Sequence, residues 1–190
     1  MRSIHNLQNI PAGTMISSDD IIEFHAARLL LLILLCGKQE ARSKQFKIDG
    51  LTKLAKLDFF VRYPAFFERV AQELEAAIPT INKTVESKMV RYHYGPWDER
   101  YYQVLPYLEA RALIEVKKHS GKKQYKFYLT GEGQRIASEL ANSPEYQTLR
   151  ESMEAVKQVL GDKSGNELKG LVYKVFEEEV AERKLGELIE

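Results

Sequence analysis

The residues of this chain with the chemistry to hold a metal, attack a bond or cradle a nucleotide are few, and they are not spaced to act together. His5, His25, His93 and His119 are scattered, and none has the i, i+4 partner of a helical metal pair. Cys36 is the single cysteine, which excludes an internal disulfide and a multi-cysteine zinc site. It lies in an apolar run, where a buried and inert thiol is expected. Gly161-Asp-Lys-Ser164 resembles the end of a phosphate loop, but the earlier glycine and the glycine directly before the lysine are missing. There is no Gly-x-Ser-x-Gly elbow. The expectation is a protein that is not an enzyme, with no catalytic residues, no metal and no cofactor.

Binding chemistry is better represented. Two stretches concentrate aromatics and arginine: Phe59-Phe-Val-Arg62-Tyr63-Pro64, and Tyr92-His-Tyr94-Gly-Pro-Trp97-Asp-Glu-Arg100-Tyr101. Tyr, Trp and Arg dominate interface hot spots because they combine large contact area with a polar handle, although periodic aromatics also fill cores. Phe59, Arg62, Tyr63, Tyr94, Trp97 and Arg100 are therefore the candidate partner-binding set. Arg62 follows two phenylalanines and precedes a helix-breaking proline, so its guanidinium is expected to leave the core edge and offer a planar fork to a partner carboxylate. Trp97 and Arg100, three apart at a helix start, should share one surface. A second set, Lys117, Lys118, Lys122 and Lys123, brackets a hairpin turn where a DNA phosphate could be met. Lys plus Arg number 28 against 27 Asp plus Glu, so any such contact is a local patch on a neutral chain.

The elements that must position these residues are mainly helical. Ser18 or Asp19 can cap a helix from about Asp20 to Cys36, with Gly37 as a left-handed stop. Its core, Ala26 to Cys36, is shorter than the about 20 residues of a membrane span and lies too far from Met1 for a secretory signal, so no membrane partner is expected. After a basic loop at 38–47, Asp49 opens a helix with Leu51, Leu54, Ala55 and Leu57 on one face and Lys53 and Lys56 on the other. Pro64 should break it, and Phe67, Val70, Ala71 and Leu74 mark the next helix.

Met89 to Tyr94 is strand-like, Gly95 to Asp98 a turn, and Tyr101 to Ala112 a helix that Pro106 should kink or divide. Ile114 and Val116, then Tyr125, Phe127 and Leu129, alternate with polar residues about a His119-Ser-Gly-Lys122 turn, which predicts a β-hairpin. Thr130 caps a following helix. Helix, strand, turn, strand, helix is a winged-helix order. Ser143 and Pro144 start a helix with Tyr146, Leu149, Met153, Val156 and Leu160 along a seam, and a last helical region carries Leu168, Leu171, Val172, Val175 and Phe176, then Leu185, Leu188 and Ile189. The expected fold is mainly α, with a winged-helix unit, a small hairpin wing and additional C-terminal helices. Its segments are an N-terminal arm and helical region at 1–80, a winged-helix unit at 81–142 and C-terminal helices at 143–190, all within one compact domain.

The run Ile48-Asp-Gly-Leu-Thr-Lys-Leu-Ala-Lys-Leu-Asp-Phe-Phe-Val-Arg-Tyr-Pro64, then Tyr94-Gly-Pro-Trp-Asp-Glu-Arg-Tyr101 followed by Leu108-Glu-Ala-Arg-Ala-Leu-Ile114, resembles the middle component of ABC-three-component systems, which include the small subunit of Lamassu-type anti-phage and anti-plasmid defence. The resemblance runs from about Ile48 to the C-terminal helices and leaves the N-terminal arm outside. It implies a winged-helix adaptor whose partners are an SMC-like or Rad50-like ATPase subunit and a nuclease-type effector subunit, with the DNA backbone met through the complex. Ala112 stands where the family often has glycine. The lone cysteine makes a reducing cytoplasm the expected compartment. The rival reading is a transcription regulator of the MarR or PadR kind, a homodimer that reads DNA with its winged helix.

Overall fold

The apolar run at Leu29–Ile33 has no polar face, so its helix has to be surrounded. In the computed structural model it is: α1 (Ile22–Cys36) carries Leu29, Leu31, Leu32, Ile33 and Cys36 at zero exposure and packs on the helices described below as α2, α4, α5 and α6. The structure describes residues 1–11, 13–79, 89–92, 95–118, 124–181 and 184–189. Ser17, rather than Ser18 or Asp19, supplies the N-terminal cap, and it caps a 3-10 turn (Ser18–Asp20) leading into α1. Gly37 has φ −72°, so it is no left-handed stop. Its glycine is required by approach: a Cβ there would fall 2.2 Å from the Ile33 carbonyl oxygen and 2.8 Å from that of Lys47.

The segment read as a loop contains two strands, β1 (Lys38–Gln39) and β2 (Phe46–Asp49). Gly50, at φ +96°, turns β2 into α2 (Leu51–Arg62). Pro64 ends α2 at Tyr63 and takes the first position of α3 (Pro64–Glu73), where its missing N–H costs nothing. β3 (Val90–Tyr92) pairs antiparallel with β4 (Gly95–Trp97), so the stretch expected as a turn is a strand. α4 (Tyr101–Ala110) runs through Pro106 as one helix, so of the expected kink or division the division does not occur. β5 (Ile114–Lys118) and β6 (Tyr125–Leu129) form the expected hairpin, and the turn between them, with Lys122 and Lys123, lies outside the described residues. Thr130 caps α5 (Gly131–Asn142) by accepting from the Gly133 N–H. A 3-10 turn precedes α6 (Gln147–Leu160), whose seam residues Met153, Val156 and Leu160 are buried, and Ser164 and Glu167 form a capping box at α7 (Gly165–Val175).

The chain is thus mainly helical with a small antiparallel four-stranded sheet in the order β1-β2-β6-β5. β2 comes from the first of the three expected segments and β5 and β6 from the second. One hydrophobic core runs through all three, from Leu29 through Phe127 to Phe176. The last described residues return to it: Ile189 is fully buried and its N–H donates to the Met89 carbonyl, while Leu185 and Leu188 stay exposed. Among the described residues no helix is long and apolar enough to cross a membrane.

Candidate functional site

α2 is enclosed by α1, α3, α6, α7 and β4, so even its polar residues face protein. Lys53 and Lys56, expected on the face opposite the leucines, are buried. They survive there by reaching carbonyls: Lys53 Nζ donates to Gly161 O at 2.7 Å and Lys56 Nζ to Pro96 O at 2.8 Å. Burial, with the charge of Lys169, pulls Lys56 down to about 7.

The same enclosure gathers a buried ionic cluster. Asp58, fully buried on α2, accepts from Arg28 Nε at 2.9 Å, Arg62 Nη1 at 3.3 Å and the Tyr101 hydroxyl at 2.7 Å. Arg62 Nη1 also donates to Asp98 Oδ2 at 2.7 Å. The other oxygen of Asp98 accepts from the Arg100 backbone N–H at 3.0 Å and from Arg100 Nε at 2.8 Å, which secures the turn into α4. Arg100 then reaches Asp19 Oδ1 at 3.2 Å, on the 3-10 turn before α1. The cluster joins that turn, α1, α2 and α4 through charge-assisted bonds.

His25 closes it. Arg28 Nη1 donates to His25 Nδ1 at 2.8 Å, and His25 Nε2 lies 3.1 Å from the Asp19 carbonyl oxygen. With Nδ1 an acceptor, the proton of the neutral ring belongs on Nε2, facing that carbonyl. Burial, then the charges of Arg28 and Arg100, lower its pKa to about 4. Burial alone would raise Asp58 and Asp98, but Arg28 and Arg62 at Asp58, and Arg100 and Arg62 at Asp98, hold both carboxyls below their ordinary range. Burial and the neighbouring Asp58 charge push the Tyr101 hydroxyl well up. The arrangement fixes charge in place and moves the titrations of His25, Asp58, Asp98 and Tyr101 away from neutrality.

These contacts relocate most of the expected partner-binding set. Arg62 is fully buried, and its fork closes on Asp58 and Asp98 rather than on a partner. Phe59 is likewise buried, stacked among Phe60, Tyr63 and Phe66 at centroid distances of 5.1, 4.9 and 5.3 Å. Tyr63 is a clasp: its hydroxyl accepts from the Met89 N–H at 2.6 Å and donates to Ile189 O at 3.2 Å. Trp97 is 6% exposed, and among the described residues its indole N–H has no hydrogen-bond partner. Arg100 keeps 20% side-chain exposure while bound to Asp98 and Asp19, so it and Trp97 do not present a joint outward face. Tyr94 lies outside the described residues.

The candidate DNA-binding lysines are accessible where they are described. Lys117 and Lys118 are exposed. Lys117 Nζ pairs with Glu115 at 2.9 Å and sits 4.9 Å from the Tyr128 ring centroid. Lys126, on the next strand, lies 4.0 Å from Asp49. Carboxylates on the same sheet face thus offset these cations. Cys36 is buried, its thiol pushed up to about 12 by burial and donating to Met153 O at 3.3 Å. Among the described residues no three His, Cys, Asp or Glu side chains converge to hold a metal ion.

The residues sequence reasoning missed are His25, Arg28, Asp58 and Asp98 as a unit. One local sign was available: Arg28 and Asp58 are charges inside apolar runs, and such charges need partners. No family model, curated protein or solved structure matches this chain.

Proposed function

We propose that the chain is a non-catalytic accessory subunit of an SMC-like ATPase defence complex, a winged-helix adaptor that couples DNA sensing by the ATPase to a nuclease-type effector in the cytoplasm. The winged-helix reading is supported by the order α1, β2, α2, α4, β5, β6 together with the sheet order β2-β6-β5; α3, β3 and β4 would then be an insertion between the second and third helices. In that reading α4 stands where a recognition helix would enter a groove of DNA.

One observation carries the preference for a protein partner over DNA reading. The exposed positions of α4 are Tyr102, Gln103, Pro106, Glu109 and Ala110, with no cation among them. A helix that docks in a duplex groove relies on cations to neutralise the phosphates beside it, and this one exposes a carboxylate, Glu109, in their place. As an adaptor, the subunit must contact one state of the assembly better than another, since only differential affinity can restrain or release an effector.

The test is a search for an SMC-like ATPase encoded beside this chain, then co-purification of the two and titration of the complex with DNA over a range of salt. A stable complex is expected, and replacing Lys117, Lys118, Lys122 and Lys123 by alanine should flatten its salt dependence without altering sequence preference. Failure to form a complex, joined with tight sequence-specific DNA binding by the chain alone, overturns the adaptor in favour of a homodimeric regulator.

A further inference from the structure

Among the described residues, Lys56 is a buried charge that α2 leaves without a counter-ion. Asp58 and Arg62, on the same helix, are held by charges of opposite sign. Lys53, one turn earlier, also reaches a lone carbonyl, that of Gly161. Burial and Lys38 lower its pKa, but the charges of Asp162 and Asp49 act against them. Lys56 has no such help. Its Nζ meets one acceptor, Pro96 O at 2.8 Å, and the charge that acts on it is Lys169 of α7, of like sign.

β4 shuts this amine away from water. Every residue of β4 is buried, and Lys56 itself has zero exposure. Gly95 lies against the amine: a Cβ there would stand 3.6 Å from both Cε and Nζ of Lys56 and 3.4 Å from Val172 on α7. The carboxylates on the elements around it are engaged elsewhere. Asp58 on α2 binds Arg28 and Arg62, and Asp98, just after β4, binds Arg62 and Arg100. Glu167 on α7 accepts the Ser164 N–H, and Glu179, beyond α7, pairs with Arg69 on α3.

A neutral amine and an ammonium fit such a place differently. The Pro96 carbonyl satisfies one N–H of either form. The ammonium keeps two further N–H groups and a full charge away from water, and that burial costs free energy until water reaches it. β4 is what keeps the water out.

We propose that the Lys56–Pro96 contact is a proton-sensitive latch, in which β4 sits tight on α2 over the neutral amine and loosens when the amine takes a proton. The device belongs to the fold itself and holds whichever partner the chain serves.

The sign follows from linkage. Burial, then the like charge of Lys169, brings Lys56 to about 7 beneath β4, against an ordinary value of 10.5. Between the two values a hydrated amine binds a proton and the covered one does not. Loosening therefore grows about tenfold for each pH unit that is lost, and levels off below about 7, where the covered amine is charged as well.

Trp97 follows Pro96 on β4 and is the only tryptophan, so its indole N–H gives one NMR signal whose hydrogen exchange reports the loosening. Base-catalysed exchange from an opening indifferent to Lys56 quickens about tenfold per pH unit. In the wild-type chain the latch should cancel that slope, so the exchange rate rises up to about pH 7 and is level from there to pH 9. Lys56→Met keeps the length of the side chain without the charge, and its rate should climb about a hundredfold over the same two units. A wild-type rate that climbs equally, or one profile shared by both proteins, overturns the proposal. Lys169→Met gives a second reading that does not require Lys56→Met to fold. Without the like charge Lys56 takes its proton more readily, so the bend in the profile should move to higher pH; a bend that stays in place overturns the proposal as well.

Discussion

The cluster around Asp58 and the outer face of the β5-β6 hairpin are built from the same kinds of residue, cations alternating with carboxylates and a tyrosine beside them. At Asp58 the side chains of both ion-pair partners are at most 2% exposed, and Arg28 comes from a different helix, 30 residues away in sequence. At the hairpin Lys117 and Glu115 are 47 and 50% exposed and belong to one strand. Water screens the second set and is excluded from the first, so like contacts carry unlike weight. The arginines of the aromatic stretches are scaffold by this criterion, and the lysines remain available for a ligand.

The largest effect should come from Asp58→Asn, which leaves the Arg28 guanidinium buried without its carboxylate while Arg62 keeps Asp98. The expected loss is about 3–5 kcal/mol in urea denaturation, and a loss below about 1 kcal/mol would mean that water reaches the cluster. Next is pH. His25 is neutral in the fold with a pKa of about 4 against 6.5 when unfolded, so the unfolded chain binds the proton first. Its contribution is complete above pH 6.5 and is lost as pH falls towards 4, by about 3 kcal/mol. A His25→Gln variant should lose most of the slope in that window; an unchanged slope would mean that the titration belongs elsewhere.

Ala112 gives a smaller effect of opposite sign. Its φ is +54°, and it ends α4 in a Schellman turn, with Leu113 N–H bonded to Leu108 O and Ala112 N–H to Glu109 O. Ala112→Gly removes the left-handed strain and should stabilise the chain by about 1 kcal/mol, read as a raised melting temperature. The smallest effect is at the hairpin: Lys117→Ala should leave the melting temperature unchanged. A clear fall there would erase the contrast between the two charged regions.

Local signals were legible in the sequence: the Pro64 break, the Thr130 cap, the β5-β6 alternation and the Met153 seam each depend on neighbours within a turn or two. β2 was not, because four residues with a mixed pattern become a strand only by pairing with β6, 81 residues on in the register of Lys47 with Tyr128. Arg62 misled for the same cause. Its proline and phenylalanines are adjacent and suggested an outward fork, while Asp98, which turns the guanidinium inward, is 36 residues away. Lys53 and Lys56 fall on the polar side of α2 by periodicity, but periodicity cannot reveal a helix covered on every side.

The all-round apolar character of α1 has a consequence for synthesis. Cys36, at its end, donates to the Met153 carbonyl 117 residues further along. On the ribosome the leucines of α1 therefore emerge long before α5 and α6 exist to cover them, and the nascent chain carries an uncovered greasy helix through most of its translation. Rapid production should tax the chaperone supply of its host, and slowing elongation after α1 would lengthen that exposure.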